Sequence, residues 1–394
     1  MGKKILFKGA TVIDGNGKEP QKADLLIDGG DILGLGHNIS CEDAKVVDVS
    51  GKTIMPGMIN AHVHITFASR TADTFGTLDK QSDASLALIS QNNLLEHLRS
   101  GVTYFRDMGA PNHIDIDLRN ARTQGIVQGP EFQCAGKVIT MTGGHAWKMG
   151  RECDGCREVR KATREQIRAG ADLIKIVATG GVITQGVEPG APQLTYEEIR
   201  VAVEEAHKAG KKTASHAQGS TGILNAVRAG IDSIEHGIYL TDEIIELMIE
   251  KGTYLVPTLM APYAICKEGI AAGIPPAIVA KSNSVIDDHL ASLKRAYEAG
   301  VKIAMGTDSG TPFNHHSDSY YELKLMIDNG MTPMDAICST TKNAADLMGI
   351  LDRYGTLEVG KAADFLVLGA DPLADITALH HSLEQVYKLG ELVS

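Results

Sequence analysis

Hydrophobic and polar positions change rhythm twice along the chain. The N-terminal stretches KILFKGATVID, ADLLIDGGDILGLG and AKVVDVSGKTIMPG read as short strands separated by glycine turns. The same texture returns at the far end in GKAADFLVLGADPL and EQVYKLGELVS. Between them, short apolar runs alternate with amphipathic helical segments. The candidate strands are GMINAHVHI, TYFRDMG, EFQCAGKVI, DLIKIVATG, KTASHAQG, SIEHGI, TYLVPTL and KIAMGTDSG. Several are apolar on both faces, the pattern of parallel strands covered on each side.

Two of the intervening helices carry clear boundaries. TYEEIRVAVEEAHKAGKK opens with Thr195 and Glu198 in capping-box spacing and stops at Gly210. TPMDAICSTTKNAADLMG is expected to run as one helix, with Thr332 as cap, Pro333 at the first helical position and Gly349 as stop. Eight strands alternating with helices predict an α/β fold, a (β/α)8 TIM barrel, over residues 56–354. Residues 1–55 and 355–394 are expected to pair into a small composite β-sandwich beside it.

Composition narrows the function classes. The chain has 394 residues, of which 43% are hydrophobic and 22% charged, ordinary for a globular enzyme. Its 38 Lys and Arg against 49 Asp and Glu leave a net charge of −11, which argues against nucleic acid or an anionic membrane as main partner. The start MGKKILFKGATVIDG has no long apolar run, so neither a signal peptide nor a membrane span is expected, and a cytoplasmic location is the default. Among six cysteines only Cys153 and Cys156 form a CxxC, read as two reduced thiols on a loop because no second pair completes a zinc site.

Lys175 in ADLIKIVATGG is the anomaly, an ammonium in a strand apolar on both faces. It could snorkel from a strand end, form a Schiff base, or be modified into a metal ligand. The other strand ends decide between these. Barrel active sites lie at the C-terminal ends of the strands, where this chain places His62, His64, Lys175, His216, His236 and Asp308. His62 and His64 occupy alternate positions and so share a face. Singly, each histidine reads as hydrogen-bonded core; as a set on one ring they read as metal ligands. A Schiff base needs none of them. A carbamate formed from Lys175 and carbon dioxide offers two oxygens that can bridge cations about 3.5–4 Å apart. Its charge would then be matched by the metals.

These motifs resemble the amidohydrolase superfamily, binuclear type. The closest branch is the prolidase-like and imidazolonepropionase-like one, with Xaa-Pro and Xaa-Arg dipeptidases, N-acyl-amino-acid hydrolases and ochratoxinase-like enzymes. The residues that carry the resemblance are PGMINAHVHI, DLIKI, SHAQG, IEHGI, GTDSG and GTLEVGKAADFLVL, spread over essentially the whole chain. Asn60 departs from the pattern, standing where many relatives carry Asp, and is expected to leave the ligands intact. The resemblance implies a metal-dependent hydrolase with two divalent ions, zinc being the expected one. His62, His64 and Asp308 would hold the more buried ion and His216 and His236 the other. Lys175, as N6-carboxylysine, would bridge them.

Two such ions would bring a shared water toward neutral pKa, with Asp308 as general base and then acid to the leaving nitrogen. Tyr239 and His145 match positions that contact the scissile carbonyl or substrate carboxylate in relatives. The expected substrate is small, a dipeptide or N-acyl amino acid with a free carboxylate. A cyclic amide opened by the same site, or a barrel scaffold without catalysis, are the alternatives. A deaminase fits less well, since such sites usually lack the bridging lysine. The glycine-rich TGGVITQGVEPGAPQLT is a candidate lid, and His315 and His316 are expected on a solvated loop. A homo-oligomer is implied by the resemblance alone.

Overall fold

The computed structural model describes residues 4–393. The fold is mixed α/β. Strands Lys4–Val12, Gln21–Asp28, Asp31–Gly36, Lys45–Asp48 and Thr53–Pro56 join Phe365–Leu368, Leu383–Lys388 and Glu391–Leu392 in one eight-stranded sheet. The two ends of the chain meet where Thr53–Pro56 pairs antiparallel with Phe365–Leu368, Thr53 opposite Leu368 and Pro56 opposite Phe365. This sheet has its own core, in which Phe7 meets the rings of Phe365 and Tyr387 edge-on at 5.1 and 5.0 Å. Each such pair adds about 0.5–1.5 kcal/mol beyond the area it buries.

The remaining strands are parallel. Met58–Val63, Val102–Asp107 and Glu131–Cys134 form one sheet. Gly150–Glu152, Val138–Thr140, Leu173–Val177, Lys212–Ala217, Ser233–His236 and Tyr254–Val256 form another. Backbone hydrogen bonds link their margins. Asp172 N donates to Cys134 O at 2.8 Å, Leu255 N to Lys302 O at 2.8 Å, and Ala61 N to Met305 O at 2.8 Å. Ile174, Ile176, Ile234 and Leu255 are fully buried between sheet and helices.

Three expected elements differ. EFQCAGKVI is two short strands rather than one, broken at Gly136, whose φ of +68° is open to glycine. KIAMGTDSG is not a regular strand: it makes isolated bridges at Ile303 and Ser309, and its ladder is interrupted where Asp308 adopts a φ of 56°. The helix expected from Pro333 to Gly349 is two, Pro333–Ser339 and Lys342–Leu347. At the break the backbone turns to the HxH strand, Ile59 N donating to Thr340 O at 2.6 Å, while Thr341 Oγ1 donates back to Ile337 O at 2.7 Å. The capping box of Thr195 and Glu198 opens helix Tyr196–Lys208 as its spacing predicts.

Cys153 and Cys156 are both free, and only Cys153 lies in the connecting segment expected for the pair. Cys153 is buried just after strand Gly150–Glu152, and Cys156 lies in the first turn of helix Gly155–Ala169. No helix among the described residues is long and apolar enough to cross a membrane.

Candidate metal centre

A cavity of about 750 Å³, open space at its mouth included, lies beyond the C-terminal ends of the parallel strands. His62, His64, His145, Lys175, His216, His236 and Asp308 all line it. One nitrogen each of His62 and His64 and one oxygen of Asp308 fall within 4.8 Å of one another. Both Nε2 atoms stand 3.4 Å from Asp308 Oδ1. The imidazoles continue as a chain, with centroid separations of 5.3 Å for His62–His236, 4.5 Å for His216–His236 and 4.2 Å for His145–His216.

Backbone strain accompanies the chemistry. His236 and Asp308 hold left-handed φ values of 72° and 56°, uncommon for residues other than glycine. Asp308 is kept there by Asn314, whose Nδ2 donates to Thr307 O at 2.7 Å and Asp308 O at 2.9 Å. Asn60 is buried and holds the same turn from the other side: its Oδ1 accepts from His62 N at 3.1 Å and Thr307 N at 3.2 Å. An amide at this position therefore ties the HxH strand to the Asp308 segment.

The hydrogen bonds set three imidazole tautomers. Nδ1 of His62 faces Glu235 Oε2 at 2.7 Å, and Nδ1 of His64 faces Gly109 O at 3.1 Å. Nδ1 of His236 meets Thr258 Oγ1 at 2.7 Å, and that hydroxyl itself donates to Pro257 O at 2.6 Å. Each Nδ1 therefore donates, which leaves Nε2 as a lone pair directed away from these partners. His216 is held the other way, through Nε2 at 3.4 Å from Gly180 O, so its Nδ1 is the free nitrogen. Burial pushes His64 down to about 3 and His62, His216 and His236 well below the usual range, so all four are neutral. Neutral imidazoles with free lone pairs beside a carboxylate are the donor set a divalent cation requires.

Lys175 is the third residue of strand Leu173–Val177 and 3% exposed, so it does not snorkel to water. Of the carboxylates that draw on its charge, Glu235 is engaged by Arg106 at 2.9 Å, and Asp308 faces the two Nε2 lone pairs. Burial pushes its ammonium down to about 8 against the pull of Glu235 and Asp308. Burial likewise pushes the Asp308 carboxyl up to about 7, although Lys175 draws it down.

His145 also lines the cavity, and Thr184 Oγ1 lies 2.8 Å from its Nδ1. Thr184 belongs to the glycine-rich segment after the Lys175 strand, whose Val182 and Ile183 form part of the cavity wall. Tyr239 is not among the lining residues; it is half-buried, with its backbone N bonded to Gln218 O at 2.9 Å. His315 and His316 do not line the cavity either. His316 is fully buried rather than solvated, its Nδ1 3.0 Å from His97 Nε2.

Several buried groups around the centre escape the sequence reading. Glu235 is completely buried and joins His62 to Arg106, whose Nε donates to Ala61 O at 2.7 Å. Asp107 accepts from Ile65 N at 2.7 Å and Gly109 N at 2.9 Å, fixing the turn that carries His64. Helix Pro276–Ala299 roofs the cavity with Ser282, Val285 and His289. His289 Nε2 reaches Pro257 O at 2.7 Å and His236 O at 3.0 Å, and burial holds this imidazole down at about 4. Replacing Glu235 with Gln should strand the Arg106 charge and cost about 3–5 kcal/mol in urea unfolding. The double variant Glu235→Gln/Arg106→Met should recover most of that loss, and an unchanged unfolding midpoint in the single variant would refute the coupling.

The comparisons agree with this geometry. The amidohydrolase family profile matches residues 53–393. Ochratoxinase of Aspergillus niger is 30% identical over 98% of this chain and 86% of its own length. A solved Xaa-Pro dipeptidase with methionine in its active site is 34% identical, with a TM-score of 0.91 over 99% of this chain and 100% of that one. A prolidase complexed with N-methylphosphonate-L-proline is 32% identical, with a TM-score of 0.92 over 99% of both chains. Enzymes of this family generally use divalent metal ions, and the His62, His64 and Asp308 cluster is present here. The chain belongs to the amidohydrolase family and is a hydrolase of amide bonds.

Proposed function

We propose that the protein is a two-metal amidohydrolase that cleaves the C–N bond of a dipeptide or N-acyl amino acid. The observation that carries this reading is the clustering of His62, His64 and Asp308 on the wall of one cavity with Lys175, His216 and His236. Parallel strands joined margin to margin by the hydrogen bonds of Asp172, Leu255 and Ala61 support a closed (β/α)8 barrel over residues 56–354. Residues 1–55 and 355–394 form the small composite β domain of this reading.

His62, His64 and Asp308 would hold one cation and His216 and His236 a second, with Lys175, as N6-carboxylysine, available to both. Zinc suits imidazole and carboxylate donors. When bound, such ions acidify water and polarise a carbonyl. Asp308 takes the proton of the attacking water and delivers it to the leaving nitrogen. The Thr184 hydroxyl accepts from Ala146 N at 3.2 Å and donates to His145 Nδ1, so His145 presents Nε2–H to a substrate oxygen. Tyr239, assigned by the resemblance to the scissile carbonyl or substrate carboxylate, lies outside the lining and would need to move to reach either. The enzyme acts on small molecules as a homo-oligomer, a reading that rests on the resemblance of its motifs.

Amine release from a library of dipeptides, N-acyl amino acids and cyclic amides tests the proposal, after purification with zinc and bicarbonate. Cleavage of linear amides is expected. Opening of cyclic amides alone would move the assignment to a ring opener, and two bound metals with no turnover on any substrate would reject it.

A further inference from the structure

Three side chains on the cavity wall carry a buried polar atom with no partner among the described residues: Gln218 Oε1, Ser282 Oγ and His289 Nδ1. Their residues are 5%, 0% and 1% exposed. Such atoms are costly to leave unsatisfied unless a ligand or water serves them. The amide of Gln218 can turn to offer either its oxygen or its nitrogen. His289 cannot: two carbonyls occupy its Nε2–H, which leaves Nδ1 as a lone pair. Ser282 lies on the same face of the roof helix, about 10 Å along the axis from His289. It therefore meets a different point of an extended substrate.

The charge around these atoms is as informative as the atoms themselves. Among the described residues, the only carboxylate lining the cavity is Asp308, beside His62 and His64, and the only lysine is Lys175. The rest of the wall is largely apolar, with Phe67, Phe75, Met149 and Ile265 among its residues. An ammonium group placed there would be desolvated without an anion. A neutral O–H or N–H donor would find His289 Nδ1 and the Gln218 amide ready to receive it.

On the reading of the protein as an amide hydrolase, we propose that Gln218, Ser282 and His289 form a neutral recognition subsite. It admits substrates whose acyl arm is hydrophobic, uncharged and equipped with a hydrogen-bond donor, and it disfavours a free α-ammonium. Gln218 and His289, adjacent to the His216 and His236 ends of their strands, meet the substituent next to the scissile carbonyl. Ser282 meets the arm further out. The substrate class is therefore an N-acylated amino acid in preference to an unblocked dipeptide.

Three matched substrates test this in the wild-type holoenzyme at pH 7: phenylalanyl-leucine, 3-phenylpropanoyl-leucine and 2-hydroxy-3-phenylpropanoyl-leucine. They share a leaving leucine and differ only in ammonium, hydrogen or hydroxyl beside the scissile carbonyl. The hydroxyl compound should exceed the hydrogen compound in kcat/KM by about threefold or more, the worth of one net hydrogen bond. The ammonium compound should fall at least about tenfold below the hydroxyl compound. Gln218→Met, whose native side-chain amide makes no bond to lose, should bring the hydroxyl-to-hydrogen ratio toward one. His289→Gln should do the same if it folds. A ratio near one in the wild type would mean that water alone serves these atoms, and an ammonium compound cleaved as fast as the hydroxyl one would overturn the neutral subsite. Failure of all three alongside opening of a cyclic amide would remove the linear-amide reading and the subsite with it.

Discussion

Lys175→Ala should bind metal poorly and lose turnover by at least about a thousandfold, since losing a bridging ligand removes several kcal/mol of transition-state stabilisation at 1.36 kcal/mol per tenfold. The expectation rests on where the residue sits. Lys175 is buried in the middle of its strand, and Glu235, one of the carboxylates that draw on its charge, is paired with Arg106. A lysine kept there only as an ammonium is a stability cost, so Lys175→Met would then raise the unfolding midpoint and leave metal content and activity alone. If the lysine is carboxylated, the same substitution removes the bridge. Metal analysis of protein reconstituted with and without bicarbonate separates the two cases. Full activity in bicarbonate-free zinc, or in the alanine variant, would end the carbamate reading.

Asp308→Asn should lower kcat by about 10²–10⁴, the usual contribution of a positioned acid–base group, with a smaller change in KM. Asparagine keeps the shape and one oxygen donor but cannot accept a proton. The left-handed backbone at this position tolerates Asn better than most residues, so the fold should survive. Steady-state kinetics together with metal content tests the role: two metals bound and kcat within tenfold of wild type would assign the proton transfer elsewhere.

Much of this centre was legible because its residues follow a local rule. His62, His216, His236 and Asp308 each stand beside the turn that ends an apolar run, and the parallel strands bring these turns to one cavity. Lys175 was legible for another reason, a charge inside a strand apolar on both faces. The same test would have singled out Arg106 and Asp107 in TYFRDMG and Glu235 in SIEHG, three further charges in buried strands. Arg106 and Glu235 pair with each other and Asp107 with backbone N–H groups, which a linear reading does not reveal. His97, His289 and Glu322 gave no such signal. Each sits on an amphipathic helix, where a polar residue is ordinary, and only packing shows that its side chain is buried. Glu322, whose two oxygens accept from Leu259 N and Met260 N at 2.8 Å, anchors the backbone next to Thr258 and thereby the His236 tautomer. The break at Thr340 and Thr341 was hidden for the converse reason: local helical signals were sound, and a tertiary bond to Ile59 overrode them.

The pairing of Thr53–Pro56 with Phe365–Leu368 also sets a timetable. The first strand leaves the ribosome roughly 15–60 s before its partner, at about 5–20 residues per second. During that interval a fully buried strand, Thr53–Pro56, must wait with one edge unpaired while nearly the whole hydrolase region is made. The N-terminal hairpins can form early, but their sheet is completed only when residues 365–392 have been made. Nascent chains stalled before residue 365 would therefore carry an open β edge, the form of this protein most exposed to misassembly and most in need of a chaperone.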